Sequence, residues 1–292
     1  MYSRLEDAQN LFSQRTGRMT ADPTRTFWNA TPCGAHEDDP DALGRFRGRM
    51  VPRRAVAFLE RLAAAHRQVL DVGCGQGADA HVLCRQLRPG SQYVGIDVSE
   101  TSVRLAARRG PSLRVRSSFV HGSAEALPFP DGVIESVWSN GVLHHLADPA
   151  RGIAEVHRVL RPGGRAYLTL YRTWSPKLLV AHAVRRGQTG LDALLRRDRT
   201  LYGWIRGRHL ARQVGTMLLE GVGVPHLHSY TAAEVRSLCR PFNVVSLEAV
   251  GRNLAGLVPE DARTHPLFGH LWLVELEKVP PRTCARLSGD AR

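Results

Sequence analysis

Val69–Gly77, VLDVGCGQG, is a short apolar run that ends in an acid, Asp71, and passes straight into glycines at alternate positions, Gly73, Gly75 and Gly77. With Ala78 and a helical pattern following, it reads as a buried strand feeding a tight turn at a helix N-terminus. Such a turn lets backbone N–H groups come close to a ligand. Upstream, residues 51–66 carry Val56, Leu59, Leu62 and Ala63 at helical spacing, with Pro52 suited to a first turn. Downstream, residues 78–87 read as a helix stopped by Pro89-Gly90, residues 93–97 as a strand, and Ser99 as the cap of a helix to about Arg109. Strands are expected at 117–121, 133–139 and 165–171, with a helix over 150–160. After a long interruption Thr231 caps a helix to Cys239, and strands follow at 242–250 and 267–276. Alternation at these spacings implies an α/β protein with a doubly wound, mostly parallel sheet.

The 292 residues suffice for one full core, which favours one elaborated domain over two. No apolar run approaches the roughly 18 residues of a membrane span, and the opening MYSRLEDAQN lacks a signal-peptide core, so a cytoplasmic protein without a membrane partner is expected. The formal net charge is +13, which raises nucleic acid as a partner. However, Lys177 and Lys278 are the only lysines and the arginines are scattered rather than blocked, which argues against it. A basic surface also fits an acidic small substrate. Cys33, Cys74, Cys84, Cys239 and Cys284 never form C-x-x-C, which argues for reduced thiols and no zinc site.

The glycine turn alone is ambiguous. Gly73, Gly75 and Ala78 satisfy the dinucleotide fingerprint, and Asp97 stands where a ribose-binding acid is expected for NAD. An NAD-dependent dehydrogenase nevertheless leaves the other motifs unexplained. Those are Asp71 before the first glycine, YVGIDVSE ending the second strand, FVHGSAEALPFPDG, SNGVLHHLADP after the fourth strand, and EVHRVLRPGGRAYLTLY. In this order, over residues 69–171, they resemble the class I S-adenosylmethionine (SAM)-dependent methyltransferases, in the small-molecule, type 11 group that includes quinone-biosynthesis enzymes.

The resemblance implies a Rossmann-like seven-stranded sheet with an antiparallel last strand and a helical insertion. It implies SAM as cofactor, S-adenosylhomocysteine as product and a small-molecule acceptor. Gly73, Cys74 and Gly75 would approach the methionine part and Asp71 its ammonium; Asp97, with Val98, would bind the ribose. Ser123 and Ala124 fall where the family contacts adenine, although the family usually has an acid in place of Ser123. Asn140, Gly141 and Val142 would lie beside the sulfonium. Glu135 stands where the family usually has Asp and is read as structural.

His144 and His145 are the candidate bases, because their loop faces the methyl group and imidazole titrates near neutrality. Either could instead serve packing alone. Tyr171 and Arg172, leaving the fifth strand, are pocket candidates, Arg172 as a clamp on a carboxylate or phosphate. Residues 172–230, which contain Trp174, His182, Trp204, His209, His226, His228 and Tyr230, are too long for a plain connection and are read as a helical cover over the substrate; Trp174 is a pocket candidate, and His226, His228 and Tyr230 approach the mouth if the insertion folds back. No H-x-x-x-H backed by an acid is present, so no metal is expected. Residues 1–49 form a polar lead whose TFWNATPCG island, with Phe27 and Trp28, either patches the core or lids the cofactor cleft. The catalytic domain is expected over 50–279 and a frayed tail over 280–292. Methyl transfer to a small, partly apolar acceptor with an acidic group is the leading function. An RNA methyltransferase and a non-catalytic SAM-binding module are the alternatives, the former lacking an N-P-P-Y-like motif after the fourth strand.

Overall fold

The structure is a computed structural model that describes residues 22–32, 53–110, 115–196, 223–250 and 269–280. Cys33, Trp204, His209, Cys284, most of the lead and most of the tail lie outside the described residues. The described elements are α1 (Pro23–Ala30), α2 (Arg53–Ala65), β1 (Gln68–Val72), α3 (Ala78–Gln86), β2 (Gln92–Asp97), α4 (Glu100–Arg109), β3 (Arg116–His121) and β4 (Ile134–Asn140). A 3-10 turn (Leu143–His145) follows, then α5 (Pro149–Val159), β5 (Leu160–Tyr171), α6 (Pro176–Leu195), α7 (Ala232–Leu238), β6 (Asn243–Val250) and β7 (Leu271–Glu277).

The strands form one sheet of seven in the order β3-β2-β1-β4-β5-β7-β6. The first five are parallel, and β7 runs antiparallel to both β5 and β6. Strand order reverses beside β1, which pairs with β2 on one side and β4 on the other. Its carboxyl end is therefore the crevice where such sheets bind ligands. Alternation sends Leu70, Val72, Ile96, Val137 and Leu168 to one face, with α5 and α7. Val69, Tyr93, Trp138 and Tyr167 face the other, against α2 and α3.

β5 starts at Leu160, well before the expected Arg165. Both flanks of the Arg161–Gly164 turn ladder onto β4, with a register shift between Ile134 and Ser136, and Gly163 takes a φ of 74°. The turn is also paired, Gly163 N–H donating to the Lys278 carbonyl and Lys278 N–H to that of Gly164. The proline and glycines thus bulge inside a ladder instead of ending it.

At the amino-terminal edge, Glu135 accepts from the backbone N–H groups of Arg67 and Gln68, both at 3.1 Å, and pairs with Arg161 at 3.0 Å. It fastens the entry of β1 to β4, far from the crevice, the structural part expected of it. Removing it strands two backbone donors and an arginine, so Glu135→Ala should cost about 2 kcal/mol in urea unfolding, with cofactor affinity unchanged.

Candidate functional site

The β1–α3 turn needs its glycines for two different reasons. Gly73, Gly75 and Gly77 all have positive φ. A Cβ on Gly73 would stand 2.1 Å from a Val142 methyl, because the loop after β4 packs directly on the turn. A Cβ on Gly75 would meet nothing within 4 Å, so its cost there is backbone strain alone and the space beside it is open.

The Gly75 N–H donates to Asp97 Oδ2 at 2.9 Å, and the Ser99 N–H donates to Asp97 Oδ1 at 2.8 Å. Burial raises the pKa of Asp97, and these two donors pull it back. Each carboxylate oxygen keeps lone-pair capacity for a diol. The Val98 carbonyl faces His121 Nε2 at 3.1 Å. Cys74 is buried and its thiol is held well above its ordinary pKa by burial and by Asp97, so it is a neutral filler of the turn.

Asp71 points into the α2–α3 layer, where the Tyr93 hydroxyl donates to its Oδ2. That bond commits one carboxylate oxygen to the scaffold. Ser123 Oγ accepts the Glu125 N–H at 3.1 Å, and Ala124 is buried.

A polar network that the sequence reading did not single out holds the end of β4. Asp79 Oδ2, buried in the first turn of α3, accepts from Trp138 Nε1 at 2.9 Å and from Asn140 Nδ2 at 3.0 Å. Thr169 Oγ1 donates to Asn140 Oδ1 and accepts from the Gly141 N–H, both at 2.8 Å. The Asn140 carboxamide is therefore oriented from both ends, at the start of the loop that carries Gly141, Val142 and the histidines. An acid just inside the helix and a threonine mid-strand were the only signals available.

His144 and His145 lie in the 3-10 turn, with ring centroids 4.4 Å apart. His144 is fully buried under Tyr171 at 3.8 Å, and neither ring nitrogen has a hydrogen-bond partner of ordinary geometry. Burial, His145 and Lys177 drive its pKa well below the usual imidazole value, with the Thr169 backbone pulling the other way. His145 Nδ1 lies 2.9 Å from the His226 carbonyl, and its ring meets Trp28 edge-on at 5.7 Å.

Residues 223–230, the described end of the insertion, meet this loop. His228 N–H donates to the His144 carbonyl, and Tyr230 N–H to that of Tyr171. His228 Nε2 lies 3.1 Å from the Leu146 carbonyl, and α6 braces the returning chain through His182 to Ser229 and Arg185 to the Val224 and Pro225 carbonyls.

Two pocket candidates stand apart. Arg172 is turned away, its guanidinium on the Gly269 carbonyl at 3.0 Å and over the Trp272 ring. Trp174 is 64% exposed. A strand-end arginine is drawn to the carbonyl and aromatic face beside it, which explains why it does not clamp the mouth.

The lead contributes α1, N-capped by Asp22 and seated by buried Phe27. The Asn29 carboxamide oxygen accepts from the Ser99 hydroxyl at 3.1 Å and from the Thr101 N–H at 3.3 Å. With Trp28 on His145, α1 bridges the loops after β2 and β4.

Among the described residues no helix is long and apolar enough to cross a membrane, and no group of three or more His, Cys, Asp or Glu is placed to hold a metal ion.

A family model described as a methyltransferase domain matches residues 70–168. An uncharacterised 37.1 kDa protein in a transposon of Streptomyces fradiae is 32% identical over 215 residues, 62% of this chain and 58% of that protein. A phthiotriol/phenolphthiotriol dimycocerosates methyltransferase of Mycobacterium tuberculosis is 37% identical over 137 residues, 44% of this chain and 49% of that protein. The chain thus spans about half the length of the curated relatives it matches. The crystal structure of a SAM-dependent methyltransferase from Aquifex aeolicus shares the fold, with a TM-score of 0.51 at 16% identity, covering 82% of this chain and 99% of that one.

Buried neutral histidines make stability fall in acid. Below the ordinary imidazole pKa near 6.5 the unfolded chain takes up a proton that folded His144 refuses, so stability rises with pH up to about 6.5 and then levels. Urea midpoints from pH 5 to 7.5 should show this slope, shallower in His144→Phe by up to about 1.4 kcal/mol per pH unit.

Proposed function

We propose that the region matched by the methyltransferase-domain model, residues 70–168, binds S-adenosylmethionine in the crevice between the glycine turn and Asp97 and methylates a small-molecule acceptor. The observation that carries the cofactor is the Asp97 carboxylate, held by the Gly75 and Ser99 N–H groups at the switch point of the sheet. The open space beside Gly75 fits a ligand that passes close to the backbone. Bound there, the cofactor supplies a methyl group on a sulfonium, a strong leaving group for in-line displacement.

The protein's own work is then to align the acceptor and to take its proton. Alignment supplies roughly 7 to 11 kcal/mol and a positioned base roughly 3 to 5 kcal/mol. The Asp79–Asn140–Thr169 network sets the loop on which alignment depends. Of the two histidines, we assign the base to His145. A carbonyl can only accept, so the contact with His226 puts the proton on Nδ1 and the lone pair on Nε2. His144, wholly buried beneath Tyr171, serves the loop as packing. We assign residues 172–230 as the acceptor cover and α1 as the lid, because His228 and Trp28 both meet the same loop. A small, partly apolar acceptor, as in specialised metabolism, suits the aromatic rings of Trp28 and Tyr171; an acidic group on it is taken up below.

Calorimetry of the full chain with SAM, S-adenosylhomocysteine and NADH tests the cofactor. Binding of both adenosyl ligands, silence from NADH and loss of binding in Asp97→Ala are expected; NADH binding, or unchanged SAM affinity in the variant, would refute it. With an acceptor found by mass gain of one methyl, His145→Gln should lower kcat about a hundredfold or more while S-adenosylhomocysteine affinity holds. An equal loss in His144→Phe alone would transfer the assignment.

A further inference from the structure

Of the 40 basic side chains only Lys177 and Lys278 are lysines, so each marks a place where this arginine-rich chain retains a compact ammonium. For Lys278 the reason is visible. Its Nζ donates to the carbonyls of His157, Arg158 and Leu160, a cluster of three acceptors that suits one tetrahedral donor and not a planar fork.

Lys177 lies in the first turn of α6, over the carboxyl end of β5. Its Nζ donates to the Tyr171 hydroxyl at 3.3 Å and stands 4.8 Å from that ring's centroid. The other face of the site is the histidine loop, where His144 packs on the same ring and His145 meets it edge-on at 5.7 Å. The His144 ring stands in the same cluster, where burial lowers its pKa and the Lys177 charge is close enough to help. Arg172, the cation the sequence suggested, is committed to the Gly269 carbonyl and Trp272 on the far side of β5.

We infer that Lys177 is the anion-recognising group of the acceptor site, and that its ammonium, seated on Tyr171 beside the histidine loop, receives a carboxylate oxygen of the acceptor. The inference rests on the methyl-transfer reading above and gives that reading its substrate class. An ammonium has three N–H groups, so it can hold the Tyr171 hydroxyl and an acceptor oxygen together. A charge-assisted hydrogen bond of this kind also fixes orientation, which is the larger part of catalysis here. A guanidinium in the same place would project its charge past the ring, so Lys177→Arg is not a conservative change.

The test uses the full chain saturated with S-adenosylhomocysteine, titrated calorimetrically with 4-hydroxybenzoate, 4-hydroxybenzyl alcohol and 4-hydroxybenzylamine. The carboxylate should bind about tenfold or more tightly than the alcohol, and the amine weakest. In Lys177→Met that preference should collapse to about twofold or less, with the affinity for S-adenosylhomocysteine unchanged; Lys177→Arg should recover it only in part. Equal binding of the three probes, binding of none, or a preference that survives in Lys177→Met would overturn the assignment. Failure of S-adenosylhomocysteine to bind at the outset would strike the cofactor reading instead, so the two are told apart in one series.

Discussion

The carboxylate of Asp97 accepts one N–H from Gly75 and one from Ser99, and through those two bonds the turn after β1 and the start of α4 are set against each other. The acid is partly withdrawn from water, which by itself favours protonation, and the backbone donors are what offset that cost. Ser99 extends the chain of contacts. Its hydroxyl caps α4 through the Ser102 N–H and reaches the Trp28 carbonyl and Asn29 of the lead. Since Trp28 rests on His145, the proposed cofactor acid, the proposed lid and the proposed base are joined through one short series of contacts.

A second constraint acts from beneath. Asp79, Trp138, Asn140 and Thr169 form a polar seam through an otherwise apolar layer, and each member satisfies another. Such seams favour one arrangement because any slippage leaves buried polar groups unpaired. The slipped state is excluded at the loop as well, because Val142 fills the space that any side chain on Gly73 would need.

Much of this architecture was legible in the sequence because it depends on local chemistry. The glycine turn, the Ser99 and Thr231 caps and the strand–helix alternation are written in short patterns, and the structure has each of them. What the residues could not show was direction. Asp71 and Arg172 have suitable charges at suitable strand ends, yet a tyrosine hydroxyl on β2 engages one oxygen of the first, and a carbonyl with an indole holds the second. Both partners are distant in sequence, and only pairing brings them near. Thr169 and Asp79 were missed for the same reason: each is ordinary in its own element, and its part exists only across the sheet. β5 began early because the Pro-Gly-Gly signal, normally punctuation, is bridged by Lys278, which follows β7 more than a hundred residues on.

That bridging bears on how the chain is made. β7 lies between β5 and β6, so β6 leaves the ribosome before the strand that must separate it from its neighbour. Until residue 277 has emerged, β5 presents an open edge with apolar side chains on both faces, and β6 has nothing to pair with in its final register. Lys278 then closes the last turn of α5 and the β5 bulge together. The nascent protein therefore carries an open, adhesive edge from the completion of β5 at Tyr171 until β7 ends at Glu277, an interval in which a chaperone's protection of that edge favours the folded state.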